Sequence, residues 1–168
     1  NIKGGTDAGS SLTGTAVRNI LIGYKTGEDI TSGGDNICIG YEAGKSITDG
    51  AKNLFIGYNT GNQANGYNNI GLGYGSFNNL SDGNVNIAFG YQSLYELSSG
   101  GGNFGAGFRV AYSLTTGGYN QVMGHQAGYD MTTGSNNTVL GSYAGNSGTN
   151  NITTGSNNIL LGYQAAAS

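Results

Sequence analysis

The chain has 168 residues, a net charge of −3 and only 9% charged residues, with one cysteine and no proline. That balance excludes the basic footprint of a nucleic-acid binder, and the lone Cys38 excludes an internal disulfide. No apolar run is long enough to cross a bilayer as a helix. The 34 glycines would suggest a disordered linker if they were scattered, but nearly all fall in one register and so read as turns.

The register is set by asparagine. Asn19, Asn36 and Asn53 are 17 residues apart, the next step to Asn69 is 16, and steps of 17 lead on through Asn86, Asn103 and Asn120 to Asn137. A step of 21 then reaches Asn158. A period near 17 is too long for a heptad and too short for a helix pair, and it reads as one coil of a β-solenoid. Asn1, Ile2 and Gly5 begin an earlier, degraded coil whose strand is spoiled by Lys3 and Gly4. The chain is thus an all-β, parallel β-solenoid or β-roll of about ten coils. Residues 1–168 form a single repeat domain, read as a segment of a longer fibre because no starting methionine or leader is present. The four extra residues of the long step are assigned to a surface loop at Gly148-Thr149-Asn150-Asn151.

Each asparagine opens a short strand. The first and third residues after it are apolar in most coils, as in Ile20 and Ile22, Ile37 and Ile39, Leu54 and Ile56, Ile70 and Leu72, Ile87 and Phe89. They share a face, because side chains alternate along a strand, and they are expected to line the coil interior in parallel, in-register ladders. The residue between them points the other way and is uncharged in all nine coils from Asn19 on: Leu21, Cys38, Phe55, Gly71, Ala88, Gly105, Val122, Val139 and Leu160. A strand apolar on both faces is buried on both. Leu21, Cys38, Phe55, Val122, Val139 and Leu160 are therefore expected to face a second copy of the chain.

The fourth residue is always glycine, from Gly23 through Gly162, which implies positive φ or a backbone too crowded for a Cβ. An aromatic follows at Tyr24, Tyr41, Tyr58, Tyr74, Tyr91, Phe108 and Tyr163. Stacking would turn these into a ladder, and its tyrosines are candidate platforms for a surface glycan, since the ring is apolar and the hydroxyl polar. A small pair comes next, as in Ala43-Gly44 and Ala127-Gly128. A second apolar position follows at Ile30, Ile47, Leu80, Leu97, Leu114 and Met131, usually with Thr or Ser after it. The last coil keeps a full apolar strand, and Ile159 and Leu161 are candidates for end-to-end stacking on another subunit.

Other chemistry is weak. His125, the only histidine, stands where other coils carry the ladder tyrosine, and no Ser–His–Asp set accompanies it. Ser32-Gly33-Gly34-Asp35 faintly matches a calcium β-roll, but the equivalents of Asp35 are Lys52, Asn68, Val85, Gly102 and Tyr119, which breaks the array. Gly71-Leu72-Gly73-Tyr74-Gly75 lacks the lysine of a phosphate loop. The threonine pairs Thr115-Thr116, Thr132-Thr133 and Thr153-Thr154 raise ice binding, interrupted by Ser81-Asp82 and Ser98-Ser99. No catalytic set, cofactor site or metal site is assigned, and a non-enzymatic role is expected.

The unit Asn-Ile-x-Ile-Gly-Tyr-x-Ala-Gly, clearest at Asn36 to Gly44, resembles repeats of phage and other virion tail-fibre proteins. It is also similar to the head repeats of YadA-like trimeric autotransporter adhesins. That resemblance implies a left-handed coil, a homotrimer and a place on a virion or cell surface, attaching to a receptor or glycan. The present unit is about three residues longer than the adhesin repeat, so its outer corner is expected to differ. The alternative is an extracellular filament subunit stacking end to end.

Overall fold

The computed structural model describes residues 1–146 and 152–166. The loop assigned to residues 148–151 lies outside the described residues. Each coil contributes one three-residue strand: β1 (Ile2–Gly4), β2 (Ile20–Ile22), β3 (Ile37–Ile39), β4 (Leu54–Ile56), β5 (Ile70–Leu72), β6 (Ile87–Phe89), β7 (Phe104–Ala106), β8 (Gln121–Met123), β9 (Thr138–Leu140) and β10 (Ile159–Leu161). The strands form a single ten-stranded sheet in chain order. All pairings are parallel and in register, so that Ile37 pairs with Leu54 and Cys38 with Phe55. The solenoid of about ten turns and 17-residue repeat is as expected.

The asparagines hold the coils together. The backbone N–H of Asn36 donates to Asn19 Oδ1 at 2.9 Å, that of Asn53 to Asn36 Oδ1 at 3.0 Å, and the pattern runs through Asn137 to Asn158. From Asn19 to Asn137 each side-chain amide also donates to the glycine carbonyl that closes its own coil, as in Asn36 to Gly50 at 2.8 Å and Asn86 to Gly100 at 2.9 Å. The side chains from Asn19 to Asn137 are buried, which is tolerable because their polar atoms are partnered.

The corner glycines satisfy both readings made from the sequence. Gly57 has φ of 140°, and a Cβ there would lie only 2.1 Å from the carbonyl oxygen of Gly73 in the next coil. Left-handed backbone and coil-on-coil crowding both exclude a side chain.

The two strand faces are the reverse of the expectation. Leu21, Cys38, Phe55, Ala88, Val122 and Val139 are 0% exposed within a single chain. They form one core with Ile30, Ile47, Leu80, Leu97, Leu114 and Met131. Ile20, Ile37 and Ile70 are half-buried, and Ile22 and Ile56 are exposed. The period-two parity is right, but the chain returns beneath the middle residue, because the corner glycine folds the second half of the coil onto that side. The sizes inside show it. Leu21, Cys38, Phe55 and Val122 are each followed six residues on by Gly27, Gly44, Gly61 and Gly128. Where the strand residue is small, at Gly71 and Ala88, the partner is Phe77 or Leu94. A Cβ on Gly61 would sit 2.5 Å from the Phe55 ring, and Phe77 meets Phe55 edge-to-face at 6.5 Å. Only residues sharing one closed interior trade volume in this way.

Replacing Asn86 with Ala would strip the Asn103 N–H and the Gly100 carbonyl of partners. At roughly 1–3 kcal/mol for each buried polar group left unsatisfied, a loss of about 3 kcal/mol is expected, read as a lower urea midpoint. An unchanged midpoint would contradict the ladder's role.

Candidate interaction surfaces

The outer sheet face is an extended, mostly apolar surface left open. It carries Ile20, Ile37, Leu54, Ile70 and Ile87 half-buried beside the more exposed Ile22, Ile56, Phe89, Met123 and Leu140. No charged residue stands in either row from Ile20 onward. The residues expected to touch a neighbouring chain are Leu21, Cys38, Phe55, Val122, Val139 and Leu160. They lie inside the coil instead and cannot reach one. Hydrophobicity alone does not distinguish two apolar faces; the reciprocal size pattern between the strand and the following half-coil does.

The aromatic ladder runs beside this face. Tyr24, Tyr41, Tyr58, Tyr74, Tyr91, Phe108 and His125 stack at centroid spacings of 4.8–5.2 Å. The ring planes of Tyr41 and Tyr58 differ by only 4°. His125 lies 5.0 Å from Phe108 and is therefore a ladder member, as its register indicates. Near-parallel stacking at one coil spacing covers both faces of an interior ring and leaves its edge to solvent. Tyr41, Tyr58, Tyr74 and Tyr91 therefore cannot take a sugar face-on. Tyr163 stands apart, edge-to-face with Tyr143 at 6.2 Å.

A second stack, Tyr95, Tyr112 and Tyr129, was not singled out in the sequence. Its spacings are 4.9 and 5.1 Å, and its signal was the recurrence of tyrosine at one register position in three successive coils. Arg109 lies between the two stacks, 5.4 Å from the Phe108 ring and 5.8 Å from that of Tyr112. Its Nε donates to Gln92 Oε1 at 2.9 Å. At the equivalent positions of earlier coils stand the ion pairs Lys25–Glu28 and Lys45–Glu42, both at 3.2 Å.

The remaining candidates are occupied by structural bonds. Asp35 is ion-paired with Arg18, whose hydrogen bond and charge hold its carboxyl below the usual range. The amides of Gly73 and Gly75 donate to the preceding coil and do not point at a common anion. The hydroxyls of Ser98, Thr115 and Thr132 each donate to a carbonyl of the next coil at 3.1 Å, forming a hydroxyl ladder. In each of the threonine pairs Thr115-Thr116 and Thr132-Thr133, the first hydroxyl is thus turned into the stack. Ile159 and Leu161 are exposed, but they sit on the lateral sheet face in register with Thr138 and Leu140, so their side chains extend that face. No described helix is long and apolar enough to cross a membrane.

With this geometry in hand, comparison with known proteins returns no matching family model, no matching curated protein and no matching solved structure.

Burial pushes the Cys38 thiol up to about 12. Since only the thiolate attacks a disulfide reagent, the native protein at pH 8 should label roughly a thousandfold more slowly than the denatured chain. Equal rates would place Cys38 on the surface and contradict the interior assignment.

Proposed function

We propose that this chain is a non-enzymatic segment of an adhesive fibre, on a virion or cell surface, that assembles with further copies of itself along the outer sheet face. The observation that carries the reading is that face: ten parallel strands, free of charge from Ile20 onward and apolar on the side turned away from the core except at Gln121 and Thr138. At about 4.8 Å per strand and about 10 Å of strand length, it spans on the order of 500 Å². That is as large as the largest apolar patch on a typical monomer, and such patches are often functional. The adjoining ladder edges extend it toward the roughly 800 Å² per partner of a stable interface.

A second copy is the occupant that fits. The face repeats every coil, and a partner with the same repeat matches it along its whole length. Three copies around a threefold axis, with left-handed coils, follow from the resemblance to tail-fibre and YadA-like head repeats. The contact rows are then Ile20, Ile22, Ile37, Ile39 and their equivalents. A filament stacked end to end would instead join the backbone edges of β1 and β10.

Sedimentation equilibrium tests the reading. The wild-type chain should sediment as a trimer, and Ile39→Asp should yield monomers that keep the strand signature in circular dichroism. Phe55→Asp, inside the coil, should abolish folding outright. A wild-type chain that stays monomeric across the accessible concentration range would overturn the proposal. Long fibres in electron microscopy, unaffected by Ile39→Asp, would favour end-to-end stacking.

A further inference from the structure

The residue just before each ladder asparagine has left-handed backbone in coil after coil, with φ near 60° at Asp35, Lys52, Asn68, Val85 and Tyr119. These side chains form a row along one corner of the rod, and the row has a gap. At Gly102, φ is 71° and there is no side chain. The Tyr119 ring leans over the gap, so that a Cβ on Gly102 would meet its Cδ1 at 2.7 Å. Val85, one coil away on the other side, is 61% exposed, and Tyr119 is 71% exposed.

Between them lies a cleft of about 350 Å³ lined by Asn84, Val85, Ser99, Gly101, Gly102 and Tyr119. That volume is within the range of small-ligand sites. Tyr119 differs from every ladder tyrosine in one respect. Its row neighbours are Gly102 and Asn136, and it makes no ring stack among the described residues, so its ring is not enclosed by others. The rim is polar and uncharged. Asn84 Oδ1 accepts from the Tyr67 N–H at 2.7 Å, and its Nδ2 donates to the Asp82 carbonyl at 2.9 Å. Those bonds orient the amide while leaving one N–H and one lone pair to offer. Ser99 lines the same cleft, and the Gly101 carbonyl accepts from the Tyr119 N–H at 2.9 Å.

We infer that this cleft binds a neutral pyranose unit of a surface polysaccharide, stacked on Tyr119. An apolar ring wall with a hydrogen-bonding rim matches a sugar ring, whose C–H face is apolar and whose hydroxyls are both donors and acceptors. The absence of a lining charge selects neutral sugars over uronic or sialic acids. A ligand that reaches past one ring runs along the rod toward Tyr67, whose carbonyl accepts from the Val85 N–H at 3.0 Å. The inference gives the attachment role of the fibre reading a ligand class, but the site lies within one chain and does not need the assembly.

Saturation-transfer NMR tests it, with cellotetraose, maltotetraose and chitotetraose as neutral probes and N-acetylneuraminic acid as the acidic one. Irradiating the tyrosine ring protons of the wild-type chain should transfer to at least one neutral probe and not to the acid. Tyr119→Ala should weaken binding about tenfold, the scale of one aromatic contact. Gly102→Asn, which keeps a residue tolerant of left-handed backbone, should fill the gap and do the same. Tyr41→Ala, in the closed ladder, should bind as the wild type does. No transfer to any neutral probe, preference for the acid, or undiminished binding by Tyr119→Ala would each overturn the inference. Sedimentation of the same samples separates it from the fibre reading. A monomer that binds sugar upholds the site alone, and a trimer that binds none of the neutral probes refutes it.

Discussion

Each buried asparagine carries two constraints at once, and the rest of the coil depends on both. Its oxygen receives the backbone of the next coil, which fixes the stacking register. Its amide bonds the glycine carbonyl 13 or 14 residues on in most coils, as in Asn53 to Gly66 and Asn19 to Gly33, which fixes where the coil closes. A three-residue strand is too short to specify register through its own ladder bonds. The side chain supplies what the strand lacks, and burial makes the bonds obligatory, because an unpartnered amide inside the rod is costly. Insertions are therefore absorbed away from this point. Asn53 to Asn69 is one residue short, yet Asn69 still donates its N–H to Asn53 Oδ1 at 2.9 Å. The deletion falls between Asn53 and its closing Gly66, 13 residues on instead of 14.

With register and closure set, the interior follows. The glycine corner places the middle strand residue against the returning chain, and large and small side chains alternate between those two positions to fill a cross-section of constant size. This explains what could and could not be read in advance. Period, strand placement, parallel register, corner glycines and the inner position of Ile30 and Leu97 were all legible, because each is a statement about spacing. Which strand face points inward was not legible from polarity, since Ile37 and Cys38 are equally acceptable to a core. The information lay in a correlation between positions six residues apart, as in Phe55 with Gly61 and Gly71 with Phe77. Single-position hydrophobicity does not carry it.

A similar logic separates scaffold from site. Regular positions satisfy one another: ladder rings cover ladder rings, threonine hydroxyls bond the next coil's carbonyls, and charges pair across the corner at Lys25–Glu28. The repeating tyrosines drew attention as sugar platforms, yet their regularity is what removes their faces from solvent. Chemistry is left open where the pattern lapses. Val85, Gly102 and Tyr119 interrupt a row of polar residues, and in the sequence they look like noise in a degenerate position. The outer sheet face is the exception, regular and still open, which is why a partner with the same repeat suits it.

The asparagine side chains are sequestered in a continuous hydrogen-bonded ladder. Side-chain amide hydrogen exchange, followed by NMR on isotopically labelled protein, reads it directly. The amide protons of Asn36, Asn53, Asn69, Asn86, Asn103 and Asn120 should exchange only through global unfolding, with protection equal to the slowest backbone sites. Those of Asn84 and Asn136, at the solvent-facing corner, should exchange freely. Equally rapid exchange at both sets would show that the ladder is open to water and would contradict the account.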